Sequence, residues 1–162
     1  MTEETYTAFK ERDHAHLTNV ALQDLTVNKF YLFLTRTLSK NPGVTKVPVM
    51  FLYQLLGGIE SLGDIYRDLC RYYQDRKVAI SVPLLTYLFR LNKLLRGAYE
   101  FFYDFSTARA ESFFRDVEAL EQEGLIMLAK KEDPIFIHYL LTIVHITYNI
   151  NSPLFATHRL GS

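Results

Sequence analysis

The sequence has one cysteine, no tryptophan and an even balance of charge. A single thiol, Cys70, excludes an internal disulfide framework and a four-cysteine zinc site, and it suits a reducing compartment. Eighteen basic and eighteen acidic residues give a formal net charge of zero, so the broad positive surface of a nucleic-acid-binding domain is missing. We therefore expect an intracellular, cytoplasmic protein that does not bind nucleic acid through this segment.

Long apolar runs are also missing. The first ten residues are polar and lack the apolar region of a signal peptide. The longest apolar stretches, 47–58 and 135–146, are interrupted by Gln54 and His138, and they fall short of the roughly 20 residues that a membrane span requires. The sequence therefore predicts a soluble chain without a membrane span.

Hydrophobic residues make up 49% of the 162 residues, enough for the core of one domain, and they recur at helical spacing. The pattern predicts an all-α fold, an antiparallel bundle of about five helices with short connections. We expect the first helix over about 6–39, before Asn41-Pro42-Gly43. The others are expected over about 48–73, 81–105, 108–131 and 134–150, with Pro153 limiting the last helix and Ser81 and Ser106 or Thr107 as caps.

The stretch 57–68 carries the most informative charge pattern. Glu60, Asp64 and Asp68 are spaced at i, i+4 and i+8, which places all three carboxylates on one helical face. Because such a row repels itself, it requires a compensating cation: Arg or Lys from a neighbour, or a metal ion. Three glycines in the same helix each cost about 1 kcal/mol of helix propensity, which favours a role in close packing or at a site: Gly57, Gly58 and Gly63.

A second acidic pair with the same spacing, Glu100 and Asp104, lies among aromatic residues on the third predicted helix. If the second and third helices pack as an antiparallel hairpin, both acidic groups converge and supply oxygen ligands to a hard or borderline cation. In the alternative, each group is a solvated face that holds Arg67, Arg71 or Lys93. Spacing alone favours the solvated face, whereas the repeated spacing and the glycines favour the metal.

Eleven tyrosines and twelve phenylalanines are expected mainly at helix interfaces. Phe101, Phe102 and Tyr103 are consecutive, so they cannot all face one core, and we predict that they bind a protein partner. Cys70 has no Cys-x-x-Cys partner and is expected to be a buried thiol. The histidines lack the motifs of metal enzymes, which favours structural roles: His14, His16, His138, His145 and His158.

Two segments resemble a known family. Residues 59–64, Ile-Glu-Ser-Leu-Gly-Asp, resemble the Glu-Arg-Ile-Gly-Asp signature of PhoU, the phosphate-uptake regulator, with Ser61 where the family usually has arginine. Residues 25–36 are similar to the preceding family helix, especially in archaeal members, with Asn28 where an acid is usual. The resemblance implies that the first helix of this repeat is missing or fused into the opening helix.

The second half resembles another repeat of the same family. Residues 98–108 and 115–120 are similar to the end of the first and to the second family helix, but residues 147–151 lack both acids of the signature. The resemblance implies one PhoU-like domain over 1–162, with an incomplete first repeat at about 5–76 and a second repeat at about 79–158.

The resemblance also implies a function. Family members bind metal through their acidic motifs, so a site for iron, manganese, zinc or magnesium is expected at the acids of this chain: Glu60, Asp64, Asp68, Glu100 and Asp104. The implied function is a non-catalytic regulatory or adaptor domain in phosphate uptake or phosphate-responsive control. A transporter ATPase or a sensor kinase is the implied partner, and a homodimer is expected. Two alternatives are a homodimerising helical scaffold and a di-metal carboxylate enzyme that recruits His138 or His145.

Overall fold

The computed structural model describes residues 1–41, 43, 48–76, 78–130 and 132–161, apart from the side chains at 101, 102 and 152–161. Every regular element in these ranges is an α-helix, which confirms the predicted all-α bundle. The described helices are α1 (Thr2–Glu11), α2 (His14–Leu22), α3 (Asp24–Lys40), α4 (Val49–Gln74), α5 (Val82–Tyr103), α6 (Thr107–Ala129) and α7 (Pro134–Gly161). Within the same ranges, no helix is long and apolar enough to cross a bilayer.

Polar caps set several helix starts. Asp13, Ser81 and Ser106 precede α2, α5 and α6, and each side chain accepts a hydrogen bond from the amide three residues further on. Asp133 does the same for α7, because its Oδ1 accepts from the amides of residues 135 and 136. The predicted caps at Ser81 and Ser106 are confirmed.

Two expected boundaries are wrong. The single helix expected over 6–39 is divided into α1, α2 and α3, because Arg12 adopts a left-handed conformation with φ of 57° and Gln23 interrupts the helix again. The end expected near Pro153 is also wrong, since α7 continues to Gly161. A proline removes one backbone hydrogen bond from a helix, but the loss at Pro153 is too small to end α7 there.

α4 and α7 form the centre of the bundle. α4 packs against α7, α2 and α3, whereas α7 also packs against α5 and α6, and α1 packs against α2, α5 and α4. In the described ranges α4 and α5 do not pack side by side, so the hairpin on which convergence of the two acidic groups depended is not formed. The place beside α4 belongs to α7, which comes some sixty residues later in the chain.

The core is continuous across the bundle and rich in aromatic rings. Phe9, Tyr73 and Phe136 from three helices pack edge to face, with ring centroids 5.1–5.7 Å apart. Cys70 is fully buried beside Thr5, whose hydroxyl oxygen is 3.8 Å from the sulfur, and burial raises the pKa of the thiol to about 11. The prediction of a buried cysteine is confirmed.

Glycines allow close helix crossings on α4. A methyl group at Gly58 would collide with Ile150 of α7, and one at Gly63 would lie 3.1 Å from Val27 Cγ1 of α3. Gly57 has open space beside it and serves no such contact. The expectation of close packing therefore holds at two of the three glycines.

Candidate functional site

Glu60, Asp64 and Asp68 form an acidic stripe on α4 that faces α3, and Arg67 lies among them. Arg67 Nη1 is 2.9 Å from Asp24 Oδ2 and also pairs with Asp64, while its Nε is 2.9 Å from Asp68 Oδ1. These hydrogen bonds, with Asp68 foremost, raise the pKa of the guanidinium and keep it charged. The compensating cation that the stripe requires is therefore an arginine of the same helix.

Asp24 of α3 is the buried member of this cluster and was not among the predicted site residues. It is 3% exposed, and its Oδ2 accepts a hydrogen bond of 3.0 Å from Asn28 as well as the bond from Arg67. Its Oδ1 has no partner among the described atoms and lies beside Gly63. The sequence held a weak signal for it, since Asp24 and Asn28 repeat the four-residue spacing of Glu60 and Asp64.

Glu60 lies at the edge of the same cluster. Desolvation by burial raises its pKa, and the negative charges of Asp64 and Asp24 raise it further, whereas Arg67 opposes the shift. Three carboxylates thus share one guanidinium, and Glu60 is close enough to feel the charges of the cluster. This arrangement is an ion-pair network that joins α3 to α4.

The second acidic pair is separate from this cluster. Glu100 accepts from Arg96 Nε at 3.3 Å, and Asp104 Oδ2 is 2.9 Å from Arg109 Nη1, all on exposed side chains. Because α4 and α5 do not pack side by side, the two acidic groups do not converge. Among the residues described, no three or more His, Cys, Asp or Glu side chains are placed to hold a metal ion, so the expected five-carboxylate site is not assembled.

The other predicted site residues lie apart from the acids. His145 Nε2 is 3.1 Å from Glu121 Oε1 on the outer surface of α6 and α7, so it does not join Glu60 and Asp64. Tyr103 is 69% exposed, and its ring centroid is 5.1 Å from that of Tyr99. The side chains of Phe101 and Phe102 lie outside the described part, so that portion of the predicted partner site stays a prediction.

An open groove of about 480 Å³ lies between α5 and α6. Its cations are already engaged: Arg90 pairs with Glu123, Arg109 pairs with Asp104, and Lys93 Nζ lies 4.6 Å from the centroid of a phenylalanine ring. Because two of the three cations are paired with carboxylates and Glu100 and Asp116 also line the groove, its charge does not favour binding of an anionic ligand. The charged residues of this groove are therefore those of an ordinary solvated interface between two helices.

An exposed apolar surface, made of side chains on more than one face of each helix, lies on α3 and the first half of α4. Its seven large side chains are 39–65% exposed, and we call them the α3–α4 surface: Leu25, Phe30, Leu32, Phe33, Leu34, Met50 and Ile59. Among the described residues from 25 to 62, Leu38 alone is buried. Three cations accompany this surface on α3, namely Lys29, Arg36 and Lys40, and none of them forms an ion pair with a described residue.

Comparison of the chain with protein-family models, with curated proteins and with solved structures gives no match. The resemblance to PhoU therefore rests on the sequence segments alone, 25–36 and 59–64 in the first half and 98–108 and 115–120 in the second. In the structure the segments 25–36 and 59–64 lie on neighbouring helices, α3 and α4, and Asp64 of the second segment shares Arg67 with Asp24, which directly precedes the first.

Proposed function

We propose that this chain is a non-catalytic regulatory or adaptor domain that binds a protein partner through the α3–α4 surface. The exposure of that surface is the observation that carries the proposal. Monomeric proteins rarely expose contiguous apolar patches larger than a few hundred square ångströms, and such patches mark interaction sites. A large apolar side chain gains about 1.5–3 kcal/mol when it is fully buried, so a partner that covers part of this surface has a strong driving force.

The state of the reactive side chains supports binding rather than catalysis. The Cys70 thiol is buried with a raised pKa, and the hydroxyl groups of Tyr66 and Tyr73 donate to Asn92 and Asp133 inside the fold. Burial also raises the pKa of both tyrosines, so they stay protonated. These groups hold the bundle together, because their polar atoms are engaged with partners inside the fold.

The resemblance to PhoU supplies the biological setting of the proposal. It suggests phosphate uptake or phosphate-responsive control in a cytoplasmic archaeal protein, with a transporter ATPase or a sensor kinase as the partner. The two helices with the resembling segments, α3 and α4, are also the two that carry the exposed apolar surface. Because Arg67 already neutralises part of the acidic stripe, the proposed binding does not require a metal ion.

A homodimer through α3 is the competing reading of the same surface. In a two-fold contact the same patch meets itself, so α3 would face α3 of the second copy. Lys29, Arg36 and Lys40 would then meet cations of the same sign, which opposes the contact. A different protein with acidic side chains fits the surface better.

Photo-crosslinking in the cells that produce the protein tests this function. A photo-reactive phenylalanine derivative is placed at Leu25 or Phe33 of the α3–α4 surface, and the matched control carries it at Ile126, which is 54% exposed on α6. We expect one defined protein partner to be crosslinked from both test positions and not from the control. A product that contains two copies of the chain would favour the homodimeric scaffold, and no product at either test position would refute the adaptor function.

A further inference from the structure

An open pocket of about 280 Å³ lies where α1 and α2 meet the C-terminal end of α4. The apolar part of its lining comprises six residues: Ala8, Phe9, Leu17, Tyr73, Val78 and Ala79. The first four are at most 5% exposed and form a closed floor, whereas Val78 and Ala79 are exposed at the rim. Because ligand pockets are lined mainly by apolar and aromatic side chains, this floor suits a ligand with an apolar body.

Two polar side chains complete this lining, Arg12 and His14, and we call the cavity the Arg12 pocket. Arg12 is exposed and forms no ion pair with a described residue, although Glu11 and Asp13 flank it in the chain. Asp13 instead accepts a hydrogen bond of 2.9 Å from the amide of His16. Among the described residues no carboxylate lines the pocket, so its charge is positive, unlike that of the groove between α5 and α6.

His14 adds a hydrogen-bond donor to the same pocket. Its Nδ1 has no hydrogen-bond partner among the described atoms, so no polar contact at that atom fixes the tautomer or the rotation of the ring. An imidazole carries at least one N–H in either charge state. His14 can therefore donate to an anion that is held beside it by Arg12.

The backbone of Arg12 adopts a conformation that arginine does not favour. Its φ of 57° and ψ of 35° are left-handed, and it is the one non-glycine residue with positive φ in the described part of the chain. The amides of Arg12 and Asp13 donate to the carbonyls of Phe9 and Ala8, which closes the end of α1 in an arrangement where glycine is the usual residue. An arginine here costs stability that a glycine would not. Strain of this kind at the rim of a pocket is typical of a ligand-binding residue.

We propose that the Arg12 pocket binds a small carboxylic acid with an apolar body. The carboxylate pairs with the guanidinium of Arg12, whose planar fork of donors matches it, and accepts a hydrogen bond from His14. The apolar body lies against Phe9, Leu17 and Tyr73. A volume of about 280 Å³ equals that of roughly nine water molecules in the liquid, so the pocket suits a ligand of about ten non-hydrogen atoms.

The proposed ligand site is separate from the α3–α4 surface. Tyr73 lies at the C-terminal end of α4, whereas the exposed apolar residues of that surface lie on α3 and on the first half of α4. Ligand binding in the Arg12 pocket therefore goes beyond the adaptor function and does not rest on it.

The test titrates the full chain, labelled with ¹⁵N, with octanoate, a straight-chain carboxylate of matching size. Amide chemical shifts are expected to change saturably at residues 8–17 and around Tyr73. Octanamide has the same size without the charge and is expected to bind at least tenfold more weakly, since a hydrogen bond to a charged group is worth at least that factor. Octylamine, which carries the opposite charge, is expected not to bind in the pocket.

Substitutions at Arg12 separate binding from folding. Arg12→Gly is expected to weaken octanoate binding at least tenfold and at the same time to raise the melting temperature, because glycine suits the left-handed backbone. Arg12→Gln keeps a side chain at this position and is expected to show the same loss of binding. The matched control is Arg71→Gln, an exposed arginine of α4 that does not line the pocket, and it is expected to leave binding unchanged.

Four results would overturn this proposal. They are the absence of saturable binding, equal affinity for octanoate and octanamide, wild-type affinity in both Arg12 variants, and shift changes confined to residues outside the pocket. Changes confined to the α3–α4 surface that octanoate and octylamine cause alike would show adventitious binding to exposed apolar side chains only.

Discussion

Substitution of Arg67 by glutamine is expected to destabilise the fold because it leaves Asp24 without a cation. Asp24 is 3% exposed and retains only the hydrogen bond from Asn28. Loss of one partner from a buried ion pair costs about 3–5 kcal/mol. The side chain of Arg67 is 20% exposed, so water screens part of this loss, and we expect the free energy of unfolding to fall by about 2–4 kcal/mol.

The other two ion pairs of Arg67 add little to this magnitude. The side chains of Asp64 and Asp68 are 35% and 43% exposed, and pairs of this kind are worth about 0–1 kcal/mol. Urea unfolding at pH 7 measures the change, with an unchanged slope as the sign that the same surface is exposed. Arg71→Gln is the matched control, because Arg71 lies one turn further on α4 and is exposed, and we expect it to cost less than about 0.5 kcal/mol.

A second substitution separates the buried charge from other effects of losing Arg67. In the Arg67→Gln background, Asp24→Asn removes the uncompensated charge and is expected to recover most of the lost stability. The reasoning would be refuted if Arg67→Gln cost no more than Arg71→Gln, or if Asp24→Asn failed to restore stability. Stoichiometric metal retained by the wild-type protein after dialysis, and lost in Asp64→Asn, would also refute it, because the compensating cation would then be a metal.

Three further predictions use the same unfolding and reactivity measurements. Gly58→Ala is expected to lower the free energy of unfolding by up to about 2 kcal/mol through its collision with Ile150, whereas Gly57→Ala, with open space, should raise it by up to about 1 kcal/mol. Because the pKa of Glu60 is raised in the fold, its ionised form opposes folding; Glu60→Gln should stabilise the protein at pH 7 by up to about 0.5 kcal/mol, and this gain should disappear below pH 4.5. Cys70 is expected to react with a thiol reagent only as fast as the native bundle opens, and a fast reaction of the folded protein would contradict its burial.

Most helices could be predicted because their signals are local. The apolar spacing and the caps at Ser81 and Ser106 place α5 and α6 to within two residues of their observed ends. The division of the opening helix could not be predicted in this way, since the apolar spacing continues across the break. The break depends on Arg12 in the left-handed conformation, followed by Asp13 as the N-cap of α2. Arginine does not favour the left-handed conformation, so the sequence carries no signal for it.

The candidate site was predictable in part. The need for a cation beside Glu60, Asp64 and Asp68 follows from the sequence, and Arg67 was one of the side chains considered. Asp24 was missed, because its role depends on which helix lies against the acidic stripe. Helical periodicity shows that a face needs a neighbour and leaves the identity of the neighbour open.

Arg67 and its carboxylate partners lie between two parts of α4 that differ in burial. α4 contributes buried side chains at Tyr66, Leu69, Cys70 and Tyr73, whereas none is buried from Val49 to Leu62, and Arg67 lies just inside the point where the core begins. Apolar packing fixes α4 on the core side of that point. On the other side, the bond from Arg67 to Asp24 and the close contact at Gly63 hold α3 to α4. The ion pair and the close contact keep the two helices paired while their large apolar side chains remain exposed.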